Sequence, residues 1–162
     1  ELIAHEEQIV WNESDSKRGI YMGECRTLRA LLYLDMVRLW GNIPLFLEPV
    51  NENRAPSPAK EVFSAIFTDL KYAIENIPGD AYPKADYTKN DGHITKYAAE
   101  ALLARAYLFY TGYYGEEPAE VTRAEALAAV EDVIASGEYG FGTAIQKFMA
   151  GFFCKSGRKR RL

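Results

Sequence analysis

Residues 24–40, ECRTLRALLYLDMVRLW, carry apolar side chains around most of a helix circumference. Leu28, Leu31, Leu32, Met36, Leu39 and Trp40 are joined by Ala30, Tyr33, Leu34 and Val37. A surface helix needs a single apolar stripe, so this one is expected to be buried on more than one side, with Trp40 in the core. Such a helix needs several neighbours, which constrains the chain to a multi-helix assembly. Asp35 and Arg38 stand three apart and can meet on one face. Gly41 ends the helix, and Pro44 prevents its continuation.

Three further segments read as helices. One begins at Pro58 after Ser57, a suitable N-cap, and runs to about Asn76 on the stripe Val62, Ile66, Leu70, Ala73 and Ile74. The next is capped by Thr95, runs to about Tyr110 and is stopped by Gly112. It is rich in alanine (Ala98, Ala99, Ala101, Ala104, Ala106), which lets helix axes approach closely. The last starts at Thr122 with Glu125 at capping-box spacing, carries Ala126, Leu127, Val130, Val133 and Ile134, and ends at Gly137. A fainter helix over about residues 2–12 rests on Ile3, Ile9 and Val10. No central strand is expected.

The helices are joined by long connections through 48–58 and 78–94, both broken by Pro, Gly and Asn or Asp. Loops of that length inside a compact domain often serve a function. Ile66, Leu70, Ala73 and Pro78 match the second helix of a tetratricopeptide unit, and Ala126, Val130 and Val133 match it without the following proline. The expected fold is therefore all-α, with antiparallel helix pairs stacked as tetratricopeptide-like repeats in an alpha-alpha superhelix with long inserted loops. Residues 1–141 are expected to form this helical domain, and 142–162 an atypical basic tail. The opening stretch ELIAHEEQIVW already reads as helix, so the domain is expected to be incomplete at its N-terminus, with any export signal further upstream.

Charge narrows the partners. The net charge is −4, yet KSGRKRRL at 155–162 holds five basic residues and no acid. Without it 14 basic residues face 23 acidic ones, an acidic body that argues against nucleic acid. Cys25 and Cys154 form no metal-type pair, and only their even number supports a disulfide between them. His5 and His93 stand in no metal spacing. The chain has no Gly-rich phosphate loop, no Ser elbow and no CxxC, so no catalytic residue, metal or cofactor is assigned.

The remaining signal is aromatic: eleven Tyr, eight Phe and two Trp. Flat rings stack on the apolar faces of sugars while polar neighbours hold the hydroxyls. Tyr33, Tyr72, Tyr97 and Tyr107 fall at helical spacing and read as packing. Tyr82, Tyr87, Tyr113 and Tyr114 fall in loops, where binding residues concentrate, and Trp11 precedes a polar run. These five are the candidate ligand contacts. Arg26, Arg29, Asp35 and Arg38 read as a structural ion-pair network, because charges inside a bundle must be paired.

Four blocks together resemble the SusD/RagB family of outer-membrane nutrient-binding lipoproteins of Bacteroidetes. They are CRTLRALLYLDMVRLWGNIPLFLEPV, EVFSAIFTDLKYAIENIP, GHITKYAAEALLARAYLFYTGYY and EALAAVEDVIASGEYGF, in the family's order over roughly residues 24–141. The resemblance implies a tetratricopeptide-like scaffold that captures glycans, or in some cases peptides, without catalysis. It also implies an N-terminal lipid anchor and a lid role on a TonB-dependent, SusC-like outer-membrane barrel. A generic tetratricopeptide adaptor that binds a peptide on its concave face is the alternative.

Overall fold

The computed structural model describes residues 2–11, 17–82 and 92–137. Four α-helices follow a short 3-10 helix at Ile3–Gln8: α1 (Lys17–Trp40), α2 (Ala59–Asn76), α3 (Lys96–Tyr114) and α4 (Arg123–Ser136). Among the described residues the extended backbone pairs only once, where Ser57 N donates to Ile43 O at 2.9 Å and closes the base of the 44–56 loop. The all-α expectation holds.

The helix ends follow local chemistry. Gly41 has φ 71° and donates to Val37 O, ending α1. Thr95 accepts a hydrogen bond from Ala98 N, and Thr122 and Glu125 form the reciprocal capping box. Gly137, φ 64°, closes α4. Three expectations shift. α1 begins at Lys17, a turn and more before Glu24. At α2 the N-cap position is Pro58, not Ser57, and the capping acceptor is Asn42 Oδ1, which takes Ala59 N at 2.9 Å. Helix α3 runs through Gly112 and ends only at Gly115, whose φ of 70° is the left-handed turn that glycine permits. The extra turn is held by a tertiary contact: the Tyr114 ring packs edge-on against Phe63 of α2, 6.1 Å between centroids.

Successive helices are antiparallel. Gly23 of α1 sits against Ile77 just past α2, while Arg29 reaches back to Asp69. Phe63 near the start of α2 meets Tyr110 and Tyr114 at the end of α3, and Lys96 at the start of α3 meets Asp132 late in α4. The core lies between these pairs. Phe63, Phe67, Leu34, Ile66 and Leu70 are fully buried, each contributing roughly 1.5–3 kcal/mol of apolar burial. Ala30, Ala73, Ala99 and Ala106 are equally buried and permit the close approach, whereas Ala98 and Ala101 face out.

One expectation about α1 fails. Leu28, Leu32 and Leu39 are exposed and Trp40 is 67 % accessible, so the helix is buried on one side only. Trp40 is the last helical residue, and α2 and α3 pack on the opposite face. Leu28, Leu32, Met36 and Leu47 instead line an open apolar groove of about 570 Å3. Helix α4 is similar: it buries Ala126 and Ala129, while Leu127 and Ile134 are exposed. Its outer residues Val130, Val133 and Ile134 line a second groove with Ala104 and Leu108. The expected tail at 142–162, and with it Cys154, lies outside the described residues.

Candidate functional site

The candidate aromatics do not converge on one place. Trp11 is half-buried, and its indole Nε1 donates to Glu6 O at 3.1 Å. Glu6 also pairs with Arg18 of α1 at 2.8 Å, so Trp11 belongs to a local tie between the N-terminal segment and α1. Tyr87 lies outside the described residues.

Tyr82 follows the end of α2. Its ring stacks on the His93 imidazole, 4.3 Å between centroids and 7° from parallel. Glu24 of α1 anchors both: its Oε1 accepts the Tyr82 hydroxyl and lies 3.0 Å from His93 Nδ1. A carboxylate can only accept, so the proton of this contact sits on Nδ1. The two ends of the 78–94 connection are thereby fastened to α1. Sequence reasoning selected Tyr82 but missed Glu24 and His93, because 58 and 69 residues separate them from their partner and no spacing rule links them.

Tyr113 and Tyr114 lie at the other end of the bundle, beside the start of α2. They are helical rather than loop residues, which corrects their sequence assignment. Tyr114 is half-buried against Phe63 and Tyr110. Tyr113 is 73 % accessible, and its ring lies 7° from parallel to Phe109. Charges surround this pair. The Arg38 guanidinium stands 5.3 Å over Phe109, and Lys60 Nζ stands 5.2 Å over Tyr114 while pairing with Glu116 at 2.6 Å. That contact raises the Lys60 pKa and lowers that of Glu116, so both remain charged. Burial raises the Tyr114 pKa, which keeps its phenol neutral. The arrangement sets an exposed flat ring beside two rings, Phe109 and Tyr114, that carry charged groups over their faces, a mixed aromatic and polar surface of the kind a sugar ring can use. Lys60 and Glu116 had no sequence signal, being 56 residues apart.

Arg26 and Arg29 of α1 are structural. Asp69, only 4 % exposed, receives Arg29 at 2.7 Å and Arg26 at 3.2 Å, and the Arg26 guanidinium lies 4.2 Å over the Tyr72 ring. Arg29 also donates to Leu47 O, and Arg38 meets Asp35 at 3.5 Å on the surface. Tyr33 and Tyr107 are buried as expected, and Tyr72 and Tyr97 half-buried. No helix among the described residues is long and apolar enough to cross a membrane.

Comparison with known proteins gives a consistent answer. A family model described as SusD-like, starch-binding and associating with the outer membrane matches residues 2–108. A SusD-like protein of Bacteroides ovatus is 29 % identical over 116 residues, covering 68 % of this chain and 19 % of its own length. The solved structure of Bacteroides fragilis NanU superposes with a TM-score of 0.67 at 25 % identity, over 83 % of this chain and 26 % of its own. A laminarin-binding SusD-like protein shares the fold, with a TM-score of 0.62 at 24 % identity, over 82 % of this chain and 26 % of its own. The chain thus spans about a fifth to a quarter of the relatives it matches.

Proposed function

The chain belongs to the SusD-like family of starch-binding proteins that associate with the outer membrane, and from that premise we propose that it is the helical scaffold of a protein that captures glycans for uptake. The observation that carries the reading is the family match over residues 2–108, which spans α1, α2 and most of α3. The protein acts at the outer membrane, binds without cleaving, and serves as a lid on a SusC-like, TonB-dependent barrel that imports what it captures.

Within this chain the proposed ligand contact is the Tyr113 ring, stacked beside Phe109 and edge-on to Tyr114, with Arg38 over the first neighbour and Lys60, paired with Glu116, over the second. Tyr82 is a second, weaker candidate, because its ring face is already taken by His93. Trp11 and Tyr114 serve packing. Tyr87 stays a proposal from sequence alone.

The partnership has its own test. A tagged version of the intact protein is solubilised from outer membranes in mild detergent and its companions are identified. A stoichiometric outer-membrane barrel is the expected companion, and purification without any barrel would overturn the lid role.

A further inference from the structure

Helix α4 ends at Ser136 with its outer side uncovered. Ile134 is 69 % accessible and Leu108 of α3 70 %. With Ala104, Val130 and Val133 they line an open apolar groove of about 330 Å3 along the α3–α4 pair. Arg105 is the one charged residue on its walls among the described residues. A continuous apolar surface of this kind marks a place where something packs.

The sequence that follows α4 carries a matching stripe. Ile145, Phe148, Met149 and Phe152 recur at the spacing of one helix face, with Gln146, Lys147 and Ala150 on the other. Thr143 stands just before this stretch and Gln146 three residues later, the capping-box spacing with which Thr122 and Glu125 start α4. Six residues, among them Gly140 and Gly142, separate Gly137 from Ala144. Neighbouring antiparallel helices are commonly joined by connections of about 2–8 residues. Gly151 weakens the stretch, and a helix of about ten residues is marginal alone in water, so it needs a surface to fold on.

We propose that residues 144–153 form a further helix that docks antiparallel to α4 in the α3–α4 groove, seating Phe148, Met149 and Phe152 against Leu108, Val133 and Ile134. Proximity selects this groove, since Ile134 stands three residues before Gly137, where α4 ends. The apolar groove on α1 lies on the face turned away from α2 and α3, and α4 packs on α3. Charge selects the direction. A helix of about ten residues covers roughly 15 Å and returns the chain towards the start of α4. Residues 116–125 there hold four glutamates and one arginine, and the five basic residues of 155–162 arrive beside them. The docked segment continues the alternation of direction that runs through α1 to α4, and it is independent of the glycan reading.

Hydrogen–deuterium exchange of the intact protein, read by mass spectrometry on peptides covering 144–153, tests this. A synthetic peptide of residues 138–162 gives the unprotected rate. Amides of 144–153 are expected to exchange at least about tenfold more slowly in the protein than in the peptide, at every protein concentration. Leu108→Lys with Ile134→Lys puts charge on the groove at two exposed positions. It is expected to return 144–153 to the peptide's rate while amides of Val62–Leu70 in the core of α2 keep theirs. Phe148→Asp with Phe152→Asp is expected to do the same from the segment's side, should the first variant fold poorly. Exchange of 144–153 at the peptide's rate in the parent would overturn the proposal. So would protection that survives in both folded variants, or protection that appears only as protein concentration rises, which would make a second copy the occupant.

Discussion

Arg29 grips Asp69 with two nitrogens, Nε to Oδ2 at 2.7 Å and Nη2 to Oδ1 at 2.8 Å, and so locks α1 to α2 across forty residues of sequence. Arg26 adds a third bond to the same carboxylate. Asp69→Ala strands two partly buried guanidinium groups and is expected to cost about 3 kcal/mol in chemical denaturation. Replacing Arg26, Arg29 and Asp69 together by Met, Met and Leu is expected to cost far less than the single change. Equal losses would show that the network does not act as a unit.

Gly23 marks the closest approach of α1 to the end of α2. A Cβ there would stand 2.7 Å from Ile77 Cγ1 and 3.4 Å from Ala73 Cα. Ile77 is 1 % exposed and has little room to move. Gly23→Ala is expected to destabilise by about 1–3 kcal/mol despite alanine's better helix propensity. In an Ile77→Ala background the same change becomes neutral or favourable, which a double-mutant cycle reads directly.

The capping box of α4 has a pH signature. Glu125 is held at a pKa of about 2, first by the Thr122 backbone N–H, then by Lys71 and the Thr122 hydroxyl. A depressed carboxylate stabilises the fold above its unfolded pKa, near 4.3, and that contribution fades as pH falls towards 2. Glu125→Gln should flatten melting temperature against pH in this window. Thr122→Ala should cost about 1 kcal/mol at neutral pH.

Glu100 gives the opposite slope. Its pKa is raised to about 7, mainly by burial, so the folded state holds a proton that the unfolded chain releases near 4.3. Its contribution is complete below that unfolded value and is lost as pH rises through 7. Thermal melts of Glu100→Gln should therefore gain on the parent at pH 8 and not at pH 4.

These side chains also show what the sequence could and could not disclose. Helix ends at Gly41, Thr95, Thr122 and Gly137 follow from a residue and its near neighbours, and were legible for that reason. Gly112 and Gly115 compete for the end of α3, and the choice depends on tertiary ring packing against Phe63, which no local rule contains. Trp40 and the Leu28–Leu32 face read as core because apolar periodicity reports a preference for burial and not the presence of a neighbour. Of the candidate surface, Tyr113 could be picked out, but Lys60, Glu116, Glu24 and His93 join their sites only through the fold.

At the proposed glycan surface, Tyr113→Ala removes the exposed ring and should weaken glycan retention about two- to tenfold, since stacked aromatic contacts contribute about 0.5–1.5 kcal/mol. Tyr113→Phe keeps the ring and should retain most of it. Unchanged binding in Tyr113→Ala would move the contact elsewhere in the protein.

Affinity electrophoresis of the intact protein through gels containing soluble glycans, with reducing ends assayed in parallel, tests the central claim most directly. Retardation by at least one glycan with no reducing ends released is the expected result. Free migration through the whole panel, or cleavage of any member of it, would contradict the account of a non-catalytic glycan-binding scaffold.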